Sequence, residues 1–223
     1  MEDNQQQEQQ QQPYQTPSPN ILEEVKSFYT VDFKALFQTY FQHPFAGLLS
    51  IFQNPSGKTF LHSMILYVSC FVLYCLGAYI LVGEYRQYMT IGAFLSIGLT
   101  PVLIMFSISG ISFIIKSILG KADFKNELLT GALCGIPLAL IIPLSLVAKL
   151  FGSGANVMMM VQNPLGLGMA MSLIMLYLLL LMINTFHQSL KANGVKEVLA
   201  WYLSPVSILL AMYIAISISG AMF

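Results

Sequence analysis

The sequence predicts an all-α integral membrane protein, a bundle of five transmembrane helices with an N-terminal amphipathic interfacial helix. Three observations carry this. Of 223 residues, 56% are hydrophobic and only 9% charged, whereas soluble domains carry about a quarter charged residues. Five apolar stretches are each long enough to cross ~30 Å of hydrocarbon at ~1.5 Å per residue. Unpaired backbone is too costly in lipid, so segments this apolar must be helical.

Taken in order, residues 1–20 are polar, Gln-rich and Pro-bearing. They cannot bury enough apolar surface to order themselves and are expected to form a disordered cytoplasmic tail. The tail lacks the apolar core of a signal peptide, so the first span is expected to drive insertion. Residues 21–57 form the bridge to the membrane. Phe33, Leu36, Phe37, Tyr40 and Phe41 recur at helical spacing as one apolar stripe. Thr30 is the expected N-cap, Pro44 ends or restarts the helix, and residues 54–57 (Asn-Pro-Ser-Gly) read as a turn. Pieces this short cannot span. An interfacial helix along the cytoplasmic leaflet and a helix packed on the transmembrane bundle would show the same stripe. The transmembrane domain, residues 58–223, carries expected spans at about 60–82, 88–115, 128–150, 165–186 and 198–222.

Lysine and arginine set the orientation. Lys26, Lys34, Lys58, Lys116, Lys121, Lys125, Lys191 and Lys196 fall on one side, and only Arg86 and Lys149 on the other. Eight against two places the N-terminus in the cytoplasm and Phe223 on the far side.

Within those spans there is no Asp, Glu or Arg. Lys116 and Lys149 stand at span ends, where their stems can snorkel. Proton-coupled carriers use intramembrane ionisable groups, so their absence speaks against such relays. No nucleophile–base pairing or His-Glu-x-x-His motif is present, and no catalytic residue is expected. Gly152-Ser153-Gly154 reads as a flexible turn. His43, His62 and His187 are isolated residues at span edges, suited to interfacial anchoring. Cys70, Cys75 and Cys134 are an odd set in apolar runs, which argues against disulfides and zinc. Met158, Met159 and Met160 could bind Cu(I), but without Cys or His beside them they read as adaptable packing. No cofactor or metal is expected. The net charge of zero provides no basic field for nucleic acid.

The third span carries packing information. Gly131 and Gly135 form a small-xxx-small pair that lets another helix approach. Pro137 and Pro143 there, and Pro101 in the second span, remove backbone donors and should kink their helices. Ser107, Ser109, Gly110 and Ser112 make a small polar patch on the second span, suited to bonding a neighbour or lining a path.

Gly120-Lys121-Ala122-Asp123-Phe124-Lys125, running through Asn126-Glu127-Leu128-Leu129-Thr130-Gly131 to Pro137, resembles a stretch of the YIP family. There a short polar loop with an aromatic residue leads into a proline-bearing third helix. The segment from His187 to Glu197 resembles that family's loop before the last helix. The resemblance covers about residue 37 to the C-terminus and implies a five-span protein without catalytic residues. Eukaryotic members bind Rab-type GTPases in vesicle traffic, and bacterial members are mostly of undefined role. Residues 54–57 stand where the trafficking branch has an acidic Asp-Leu-x-Gly-Pro-like motif. That departure speaks against Rab-type GTPase binding, and a bacterial inner-membrane member fits better. The expected partners are the lipid bilayer and other membrane proteins or a second copy. The expected role is a membrane-organising or partner-assembling component, the alternative being a small permease or channel subunit.

Overall fold

The computed structural model describes residues 21–55, 57–119, 122–151 and 167–221. The tail 1–20, the Gly152-Ser153-Gly154 turn, the Met158, Met159 and Met160 run, Ser56, Gly120, Lys121, the start of the fourth span and Met222 lie outside them.

Every regular element among the described residues is a helix. The first is α1 (Ile21–Ser27), which passes through one π-helical turn (Phe28–Asp32) into α2 (Phe33–Gln42). Next come α3 (Ala46–Gln53) and α4 (Thr59–Val82), followed by a 3-10 turn (Gly83–Tyr88). The last four are α5 (Ile91–Leu119), α6 (Phe124–Phe151), α7 (Leu167–Ala192) and α8 (Glu197–Ala221). From α4 to α8, five helices are long and apolar enough to cross a membrane. By length and composition this is a multi-pass integral membrane protein.

α6 is the central helix. It packs against α4, α5 and α7, while α8 packs on α5 and α7. Its most apolar window is 56% buried, against 28–33% for the other four. Every residue from Glu127 to Leu138 is buried, as expected of a helix covered on all sides. Such a helix can be enclosed only where its neighbours come close, and Gly131 provides the place. A Cβ there would run into Ser109 Oγ, the Met105 carbonyl and the Tyr67 hydroxyl, and at Gly135 it would lie 2.6 Å from Met105 Cε. The small-xxx-small face is thus filled by α5 and α4 of the same chain. Pro101, Pro137 and Pro143 lie inside α5 and α6, which run on through them.

The helices overrun the apolar stretches at one end. α5 continues to Leu119, α6 begins at Phe124, and α7 extends to Ala192. His187 therefore does not end the fourth helix. It is buried against the Trp201 ring, with centroids 4.9 Å apart. α7 stops at Gly194, whose φ of 81° and the Val195 N–H to Leu190 O bond close the helix end.

Thr30 is not an N-cap. Helix begins upstream of it, so it has no free amides to satisfy, and its hydroxyl donates back to Lys26 O at 2.9 Å. The aromatic stripe of α2 is turned onto the protein. Phe28, Tyr40 and Leu48 are fully buried, Phe33, Leu36 and Phe41 half-buried, and Phe37 is 37% exposed. Tyr40 donates to Thr185 Oγ1 at 2.7 Å, and Asn184 Nδ2 donates to Pro44 O at 2.7 Å. Burial raises the Tyr40 phenol well above its ordinary pKa, so it remains a neutral donor.

Because the Met105 carbonyl cannot move aside as a side chain can, Gly131→Ala should cost about 1–3 kcal/mol. Gly110→Ala, whose new Cβ meets nothing within 4 Å, should leave stability unchanged or slightly higher. Thermal unfolding in detergent compares the two.

Candidate functional site

The strongest concentration of polar chemistry lies where α5, α6 and α7 end together. Lys116 precedes the end of α5 by three residues, Glu127 follows the start of α6 by three, and Ser189 precedes the end of α7 by three. Each is one turn, about 5 Å, inside its helix. The α5–α6 connection is short, so these antiparallel helices bring Lys116 and Glu127 to the same level.

Lys116 Nζ donates to Glu127 Oε2 and to Ser189 Oγ, both at 2.7 Å. Ser112 donates to the same Oε2 at 2.5 Å, and the Thr130 and Ser189 hydroxyls share a bond at 2.6 Å. Lys116 and Glu127 are each exposed by 1% or less. Lys116 therefore does not snorkel. A counter-charge on the neighbouring helix holds its ammonium inside, which satisfies it where a free charge would be expelled. One atom is left over: Glu127 Oε1 is buried without a hydrogen-bond partner.

The polar face of α5 continues deeper. Ser109, Ser112 and Lys116 are three and four residues apart, hence on one face. Ser109 bonds the Tyr67 hydroxyl of α4 at 2.9 Å. Beyond them Met105 and Ile108, both fully buried, close the seam with apolar atoms. Ser107 is half-buried, and Gly110 borders open space.

Lys149 at the opposite end is exposed and donates to Ile80 O and Leu81 O, at 3.1 and 2.9 Å. It caps the last carbonyls of α4. His62 faces Asp32 at 3.5 Å and stacks on Phe28. Among the described residues no group of three or more His, Cys, Asp or Glu is placed to hold a metal, and the three cysteines are free.

Glu127 and Ser189 fall just outside the expected spans at 128–150 and 165–186, and Thr130 just inside the third, so span counting singles out none of them. A signal was available nonetheless. Lys116 and Glu127 each stand five residues from the midpoint of the connection at 121–122, so a hairpin of two helices brings them to one level. No family model, curated protein or solved structure matches this chain.

Lys116→Ala would leave a buried carboxylate without its charge partner, at an expected cost of about 3–5 kcal/mol. Lys116→Met combined with Glu127→Leu removes both charges and should recover most of that loss. A double-mutant cycle on thermal stability tests this. A single-variant loss under about 1 kcal/mol, the value typical of exposed pairs, would count against a dry pair.

Proposed function

We propose that this chain is a YIP-like, non-enzymatic multi-pass membrane protein that organises membrane or assembles partners through its outward helix faces. In this reading the five spans form one bundle in a bacterial inner membrane. The N-terminus is cytoplasmic, Phe223 lies on the far side, and α1–α3 sit at the cytoplasmic interface. The observation that carries the reading is the destination of the polar groups. Lys116, Glu127, Ser112 and Ser189 bond within one cluster and Ser109 bonds Tyr67, leaving the outer faces mostly to aliphatic and aromatic side chains. On α8, for example, Val206, Leu209, Tyr213 and Ile216 stand outward at helical spacing, each more than half exposed. With Gly131 and Gly135 facing α5, a partner helix would dock on such an outer face.

A second reading, a small permease or channel subunit, is favoured by one observation. A crevice of about 420 Å³ opens between α5 and α8, lined by Ala93, Ser96, Thr100, Ile216 and Ser219. Thr100 and Ser219 share a hydrogen bond there at 2.9 Å.

Single cysteines at Val206 and Tyr213 should crosslink in native membranes to a second copy or to another membrane protein. Purified protein in liposomes should conduct no ions or small solutes above the empty-vesicle rate. A strictly monomeric crosslinking pattern together with solute flux would replace the assembly reading with the permease.

A further inference from the structure

We propose that Lys116, Glu127 and Ser189 form a latch across the ends of α5, α6 and α7, closed in this structure, whose opening admits water to the hydroxyl-lined α5–α6 seam. The inference rests on the geometry of these three helices and is independent of the YIP-like reading.

The first observation is asymmetry at the carboxylate. Lys116 and Ser112 both reach Oε2, at 2.7 and 2.5 Å, and Thr130 approaches the same atom at 3.5 Å. Oε1 is equally buried and has no partner. A buried acceptor without a donor carries its full desolvation penalty. Oε1 is therefore the acceptor of the cluster that no protein group satisfies and that an entering water molecule can hold.

The second observation is position. The cluster lies one turn from three helix ends, so a short outward movement of those ends brings bulk water to it. A cluster at mid-span would have no such source. The third is what lies behind it. Ser112 and then Ser109 with Tyr67 continue the polar face inward for about 10 Å, until Met105 and Ile108 close it. Water passing the latch would thus meet hydroxyls first and an apolar stop after them. The latch governs a one-ended inlet and does not open a through-path.

A purely structural fastening would make a different prediction. Apolar side chains of similar volume at 116 and 127 hold helices together as well as a buried ion pair does, or better. They cannot be drawn apart by hydration. The charged and the apolar versions should therefore differ in water access while agreeing in fold.

The test uses the full chain with Cys70, Cys75 and Cys134 replaced by Ala and a single reporter, Ser109→Cys, in sealed vesicles of known orientation. A membrane-impermeant thiosulfonate is added on the lysine-rich side. With the latch intact, labelling should be slow. Glu127→Gln should speed it at least tenfold, and the milder Ser189→Ala severalfold. Lys116→Met with Glu127→Leu should bring it severalfold below the intact rate, since an apolar contact is not opened by hydration; a rate equal to the intact one would mark a purely structural fastening and overturn the latch. Monodisperse elution in detergent identifies the variants that keep the fold, and Ser189→Ala stands in should Glu127→Gln fail to fold. Equal rates in all folded variants would overturn the latch, as would fast labelling when it is intact. Reagent on the opposite side should leave the reporter unmodified, and labelling from there would overturn the one-ended inlet.

Discussion

An ammonium and a carboxylate held 2.7 Å apart and out of water constrain the rest of this molecule. Neither charge tolerates an apolar environment alone, so α5 and α6 cannot slide or rotate without separating them. Ser189 adds α7 to the same point. The register of the three helices at the lysine-rich end is thereby fixed with a strictness that apolar contacts, which are non-directional, do not impose. Deeper along the helices the fit is made by shape. Gly131 lies under Ser109 and the Met105 carbonyl, and this contact closes only in the register the ion pair sets.

The N-terminal helices depend on that arrangement in turn. Tyr40 and Asn184 connect the α2–α3 turn to α7 within two turns of Ser189. Leu48 and Tyr40 share a buried cluster with Leu129, Leu133 and Leu181 from α6 and α7. The aromatic stripe therefore docks on a surface that exists only once α6 and α7 are seated together. By contrast, the polar contacts that draw α1 and the π-helical turn toward α4, the Glu24–Lys58 ion pair and the Asp32–His62 contact, are longer and solvent-touched. Such pairs contribute little, so the docking of this segment rests on Phe28, Tyr40 and Leu48.

Composition and apolar length made the five long helices legible, because lipid leaves the backbone no alternative to a helix. The helix ends were not legible by the same means, and the candidate site lies at those ends. A hydropathy window treats Lys116, Glu127 and the segment from His187 to Lys191 as boundaries because each residue alone is costly in lipid. The cost disappears when the partners meet, and partnering is a tertiary fact. Only the symmetric placement of Lys116 and Glu127 about the connection hinted at it. Thr30 failed as a cap for a related reason: a capping residue is recognised by the helix end beside it, and that end lies upstream. The α2 stripe stayed ambiguous in sequence because lipid and protein select the same residues. The fully buried Tyr40, with its bond to Thr185, is what distinguishes the two.

The polar groups are graded along the helices in the order their solvation costs require. Charged groups lie within a turn of the lysine-rich end, hydroxyls follow at Ser112, Ser109 and Tyr67, and apolar Met105 and Ile108 occupy the depth beyond. At the opposite end Lys149 closes the α4 carbonyls. The penalty for a charge in lipid rises steeply toward mid-span, so a buried charge pair is least costly near an end. The middle is left to methionine, glycine and proline. These adapt to small changes in helix approach, since a thioether can re-pack and a proline-bearing helix has already given up backbone bonds. A rigid, directional end joined to a compliant middle lets the ends of α5, α6 and α7 part as far as Ser109 while Met105 stays against Gly131 and Gly135.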